Sequence, residues 1–209
     1  AGGHVHWCRS AAEARDTILR ICRARGARLV AKGKSMASEE IGLNDHLIAN
    51  GFEVVETDLG EYILQLRGEP PSHIVMPAIH LTRGQIADTF RAHHTDLPAD
   101  RPMADARALT DEARTKLRGK FLAADIGITG ANFLIAQTGS AVVVTNEGNG
   151  DLTHTLSNTH IVLAGIEKVI PRPEDAFALI RLLARSATGQ EITCYTSFIT
   201  GPKRHSDLD

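Results

Sequence analysis

The sequence is poor in cysteine and aromatic residues, and it contains no long hydrophobic run. Three cysteines in 209 residues, Cys8, Cys22 and Cys194, are widely spaced and odd in number. That excludes a disulfide framework, favours a reducing cytoplasm, and leaves too few thiolates for an iron–sulfur cluster, which takes four. One Trp, two Tyr and six Phe supply base-stacking platforms poorly. Neither sign of charge dominates: the net charge of -2 and the pI near 6.6 argue against nucleic-acid binding driven by bulk charge. No segment approaches the roughly 18 apolar residues of a membrane span. The opening AGGHVHWCRS has neither the basic nor the apolar region of a secretory signal, and its first residue, Ala rather than Met, suits an excised domain.

What remains is an ordinary soluble composition, 43% hydrophobic and 23% charged, long enough for one sizeable core. We read 1–209 as a single domain, with a small helical appendage around 82–120. Ser10 and Glu13 form a capping box for a first helix that stops at Gly26. Ala27–Ala31 reads as a buried strand, and a second helix opens at Ser38-Glu39-Glu40 and closes at Asn50-Gly51. Phe52–Thr57 and Tyr62–Leu66 read as strands, and Ile74-Val75-Met76 as a short apolar run before Pro77. Thr82–His93 reads as a helix, Thr95–Arg107 as an irregular connection, and Thr110-Asp111-Glu112 as the cap of a further helix. Ile126–Thr129, Phe133–Ala136, Ala141–Thr145 and His160–Ala164 are β-branched and apolar enough to be buried strands. Pro173 starts the last long helix, which stops at Gly189, and Ile192–Ile199 is a final strand. Strands alternating with helices predict an α/β fold, a mixed and mostly parallel sheet with helices on both faces and its site at the strand ends.

The chemistry is expected in the loops. Lys32-Gly33-Lys34-Ser35 lies between a strand and a helix start, where two ammonium groups, a hydroxyl and backbone N–H groups suit an anion. A P-loop needs glycine at position 28, where Arg28 stands, which argues against nucleotide triphosphatase chemistry. Three further loops are predicted to converge on this one. They bring Thr129, Gly130 and Asn132; Thr138 and Gly139; and Asn146, Glu147, Gly148 and Asn149. Glu147, after a buried strand, is the candidate base or nucleophile. His80 and His154 are further candidates. His4, His6 and Cys8 alternate as metal ligands would on a strand, but the spacing of the ten histidines supports no metal assignment. No G-x-S-x-G elbow is present, and Gly127-x-x-Gly130 is too short for a dinucleotide fingerprint.

Several strings recur together in one known family. Lys32-Gly33-Lys34-Ser35-Met36-Ala37-Ser38-Glu39-Glu40-Ile41, Glu56-Thr57-Asp58-Leu59-Gly60-Glu61-Tyr62-Ile63, Pro71–His80, Ala124–Phe133, Thr145–Gly150 and Gly165–Pro171 resemble those of lactate-utilisation protein B. The resemblance implies a LUD domain, related in fold to ribose-5-phosphate isomerase, glucosamine-6-phosphate deaminase and CoA transferases. It implies two companion lactate-utilisation proteins as partners, a small anionic ligand, and a homo-oligomer as an open alternative. It also implies two 4Fe–4S clusters in a C-terminal region of a longer iron–sulfur protein, with no cofactor in this chain. Gln137 stands where the resemblance leads one to expect Glu. Two functions follow as expectations. One is a part in L-lactate oxidation to pyruvate by recognising an anion or a partner subunit. The other is transferase or isomerase chemistry on a CoA ester or sugar phosphate at Glu147.

Overall fold

Strands whose side chains are apolar on both faces can be satisfied only in the middle of a layered structure, and the computed structural model places them there. It describes residues 3–73 and 76–201. β1 (Leu29–Lys32), β2 (Glu53–Glu56), β3 (Ile126–Thr129) and β6 (Thr159–Val162) form an all-parallel sheet in the order β2-β1-β3-β6. Successive residues point to opposite faces. Leu29 and Val55 join one core with Tyr62 and Ile63 of α4 (Leu59–Arg67), Phe90 of α5 (Arg83–His93) and Leu117 and Phe121 of α6 (Ala106–Ala123). Val30, Val54, Ile126 and Ile128 join the other with Ile18 and Cys22 of α1 (Ala11–Ala24) and Leu43 and Leu47 of α3 (Leu43–Ala49). Helices therefore cover both faces, and the helices of the 82–120 region belong to the core rather than standing off it.

The remaining strands build a second, mixed sheet in the order β7-β4-β5-β8, so the α/β architecture is divided between two sheets rather than one. β4 (Phe133–Ile135) and β5 (Ser140–Thr145) form an antiparallel hairpin, β7 (Val169–Ile170) runs parallel to β4, and β8 (Tyr195–Thr200) runs antiparallel to β5. Ala176 and Ile180 of α8 (Pro173–Thr188) close its core over Ile135 and Val142. Between the sheets lies α7 (Asn149–Leu156), pressed against β3. A Cβ built on Gly127 would stand 2.1 Å from the Thr153 carbonyl oxygen, so this close approach requires glycine.

Four expectations need correction. The helix expected from Ser38 to Asn50 is two, α2 (Met36–Glu40) and α3, parted by Gly42 in the left-handed region at φ 61°. Tyr62–Leu66 is helical: the Asp58 side chain accepts from the N–H groups of Gly60 and Glu61 at 3.0 and 3.2 Å, and Gly68 ends the helix in the left-handed region. Short apolar runs suit either element, and the cap decides. α6 begins four residues before the expected cap because Asp105 accepts from Ala108 N–H at 2.8 Å. Asn149 to Asp151, read as loop, are the first turn of α7. Ile74 and Val75 of the predicted apolar run lie outside the described residues.

Candidate functional site

The three parallel strands β1, β2 and β3 end on the same side, and the loops leaving them carry the polar residues. Such strand ends are where α/β sheets bind ligands. Lys34, half-buried, follows β1. Asp58 follows β2 and caps α4, and residues 130–132 follow β3. The β1 and β3 loops pack closely enough that a Cβ on Gly130 would lie 3.2 Å from Ser35 Oγ. From the second sheet, the loop after β5 reaches over to the same place: Glu147 Oε2 accepts from Leu59 N–H at 3.3 Å. The Glu147 side chain is exposed, yet crowding of its carboxyl by surrounding protein, reinforced by the negative charge of Asp58, holds it above the usual carboxylate range. The Leu59 N–H and the positive charge of Lys34 pull the other way, so Lys34 and Glu147 lie within electrostatic reach.

Lys32 does something different from what its place in the motif suggests. Its ammonium is fully buried and spends its three protons on Ser38 Oγ, Glu39 Oε1 and Glu56 Oε1, each at 2.8 Å. No proton is left for a ligand. Burial works against its charge, but Glu56 and Glu39 outweigh burial and raise its pKa. Ser35 is likewise committed, buried as the cap of α2 (Met36–Glu40) and accepting from Ser38 N–H at 3.3 Å. Glu61 of α4 completes a buried group: burial first, then the Glu56 charge, pushes its carboxyl up to about 8.

The other predicted residues divide. Asn132 Oδ1 accepts from Val144 N–H at 2.8 Å, holding its loop near the Glu147 end of β5. Thr129, buried, meets His160 Nε2 at 2.8 Å. Asn146 is exposed, Asn149 is buried as the first residue of α7, and Gly148 takes φ 69° beneath the Tyr195 ring. Thr138 and Gly139 form the tight turn of the β4–β5 hairpin, with Thr138 Oγ1 2.7 Å from Ser140 Oγ. They and Gln137 therefore lie at the opposite end of β5 from Glu147, about 17 Å away at about 3.3 Å per residue. The expected convergence of all the loops thus excludes this one. His80 is exposed and bonded to Ser72 at 2.7 Å and Glu69 at 3.1 Å. His154 lies on α7, 3.3 Å from Asp151, with its ring 5.7 Å from that of His160.

Sequence reasoning overlooked Glu39, Glu56, Glu61 and Asp58. Asp58 carried a legible signal, since it directly follows a strand and precedes Gly60-Glu61 in the manner of a helix cap. The cysteines do not gather: Cys8 and Cys194 are exposed, Cys22 is buried, and among the described residues the only grouping with metal-ligand spacing is carboxylate. Two shallow surface depressions lie elsewhere, one of about 570 Å³ along α1 and one of about 290 Å³ between α8 and β8. No helix among the described residues is long and apolar enough to cross a membrane.

In comparison with known families, the chain matches the model of the LUD domain over residues 1–209. The chain belongs to the LUD domain family. Among curated proteins, this LUD domain is 47% identical over 210 residues to Lactate utilization protein B of Shouchella clausii, and 46% identical over 213 residues to that of Bacillus subtilis. It is also 47% identical over 208 residues to a protein of Escherichia coli K12 named "Uncharacterized electron transport protein YkgF". Each alignment takes in all of this chain and 43% of the relative, so the chain spans less than half the length of these proteins. No solved structure matches.

Proposed function

We propose that this LUD domain serves lactate utilisation as a recognition module, holding a small carboxylate such as lactate or pyruvate where Lys34 and Glu147 meet. The observation that carries the reading is that the loops after β1, β2 and β5 converge in a chain whose relatives at 46–47% identity are named Lactate utilization protein B. Lys34 is the cation for the ligand carboxylate. Glu147, whose carboxyl holds its proton above the usual range, faces the ligand hydroxyl or keto oxygen as a hydrogen-bond partner. The α7 N-terminus, which has no side-chain cap, adds backbone N–H groups beside it. Oxidising a 2-hydroxy acid requires an electron acceptor, and nothing in these residues supplies one. The redox step therefore belongs to iron–sulfur clusters outside this chain or to the two companion proteins.

Titration calorimetry with L-lactate and pyruvate tests the reading. Saturable binding that falls at least tenfold in Lys34→Ala supports it, and no binding of either acid overturns it. One observation favours a second reading, acyl-CoA or sugar-phosphate chemistry: a carboxylate with raised proton affinity at a strand end also suits a nucleophile or base. A covalent acyl adduct on Glu147 after incubation with acyl-CoA, absent in Glu147→Gln, would establish it.

A further inference from the structure

We propose that Glu39, Glu56 and Glu61 form a binding site for a hard divalent cation, Mg²⁺, Mn²⁺ or Ca²⁺, beneath the loop that carries Lys34. The three residues come from α2, the end of β2 and the first turn of α4, and one oxygen from each lies within 4.8 Å of the others. Oxygens on opposite sides of Mg²⁺ stand about 4.2 Å apart and those across Ca²⁺ about 4.8 Å, so the spread fits one ion. An all-carboxylate donor set selects hard cations over zinc or copper.

Clustering alone would be weak evidence, since Lys32 already neutralises part of the group. The bonding pattern adds an independent observation. Lys32 engages Glu39 and Glu56 through their Oε1 atoms. Asn44 donates to that same Glu56 Oε1 at 2.6 Å. Glu56 Oε2 and Glu61 Oε2 receive no hydrogen bond from any other group, although the two residues are only 3% and 6% exposed, and at neutral pH the two carboxyls share the proton that Glu61 retains. A buried carboxylate oxygen without a donor is costly. One ammonium faces three carboxyl groups, and the unmatched oxygens are those it does not reach. A divalent ion bound through them, displacing the proton shared by Glu61 and Glu56, satisfies both the lone pairs and the charge while leaving the Lys32 bonds in place. Glu39, with its side chain 32% exposed, is the way in from solvent.

The test is calorimetry and thermal unfolding of the protein with MgCl₂, MnCl₂ and CaCl₂ in turn, at a pH above about 8, where Glu61 is ionised. At least one ion should bind saturably with a stoichiometry of about one and raise the unfolding temperature, and affinity should fall at least tenfold in both Glu61→Gln and Glu39→Gln. Circular dichroism confirms that the variants fold, and Glu39, partly exposed, is the safer of the two substitutions. Absence of saturable binding with all three ions overturns the proposal, as does binding that survives both substitutions.

Discussion

Lys32 and Glu56 stand directly opposite one another on adjacent parallel strands, and their charged groups meet at 2.8 Å with both side chains shielded from water. A cation at the last position of one strand is thus matched to an anion at the last position of the next, at the edge where the strand-end loops begin. Neither residue is tolerable there without the other.

Removing the cation should therefore cost far more than a surface charge would. Lys32→Ala leaves Glu56 and Glu61 buried without their ammonium and is expected to destabilise the fold by about 3–5 kcal/mol. Urea denaturation would measure it, and adding Glu56→Gln to Lys32→Ala should recover part of the loss.

Glu61 makes stability depend on pH in a defined direction. Its carboxyl, ordinarily at 4.5, is raised to about 8 in the folded protein, so between those values the folded state keeps a proton that the unfolded chain has released. Its contribution is full below 4.5, declines as pH rises at no more than about 1.4 kcal/mol per unit, and is gone above about 8. Glu61→Gln should flatten that slope in denaturation curves collected across the window.

The Glu147 carboxyl should respond to its neighbours with opposite signs. Asp58→Asn removes a repelling charge and should lower its titration midpoint, whereas Lys34→Ala removes an attracting one and should raise it. Carboxyl carbon NMR of labelled protein reads both shifts. Unchanged midpoints in both variants would separate these residues from Glu147.

Gly127→Ala should be severely destabilising despite the small change. The added methyl would stand 2.1 Å from the Thr153 carbonyl oxygen and 2.6 Å from Ser157 Oγ, and the first of these is helix backbone that cannot swing aside. A loss of roughly 1–3 kcal/mol or more is expected in thermal or urea unfolding.

Much of this architecture could be read from residue patterns. The buried strands at 126–129 and 141–145, the Thr82–His93 helix and the Pro173–Gly189 helix all follow local rules, and the structure keeps them within a residue or so. The errors came where one stretch suited two elements. Tyr62-Ile63-Leu64 is apolar enough for a strand, and only the bonds from Asp58 settle it as helix. The candidate site was legible as a set of strand-end loops, but the bonding inside it was not. Nothing in Lys32-Gly33-Lys34 says that the first lysine points into a nest of carboxylates while the second lies at the strand-end loops near Glu147. That distinction depends on Glu39, Glu56 and Glu61 arriving from three separate elements, a tertiary fact without a local signature. The β4–β5 turn was misplaced for a similar reason, since hairpin topology sends its two ends in opposite directions.

Glu147 belongs to a loop of the mixed sheet, and the N–H it accepts from opens a helix that follows the parallel sheet. The proposed recognition surface is therefore a seam between two layers, and a molecule held by both Lys34 and Glu147 would act as a staple across it. Occupancy and cohesion of the layers then become one linked equilibrium, in which the melting temperature climbs with the logarithm of ligand concentration once binding saturates.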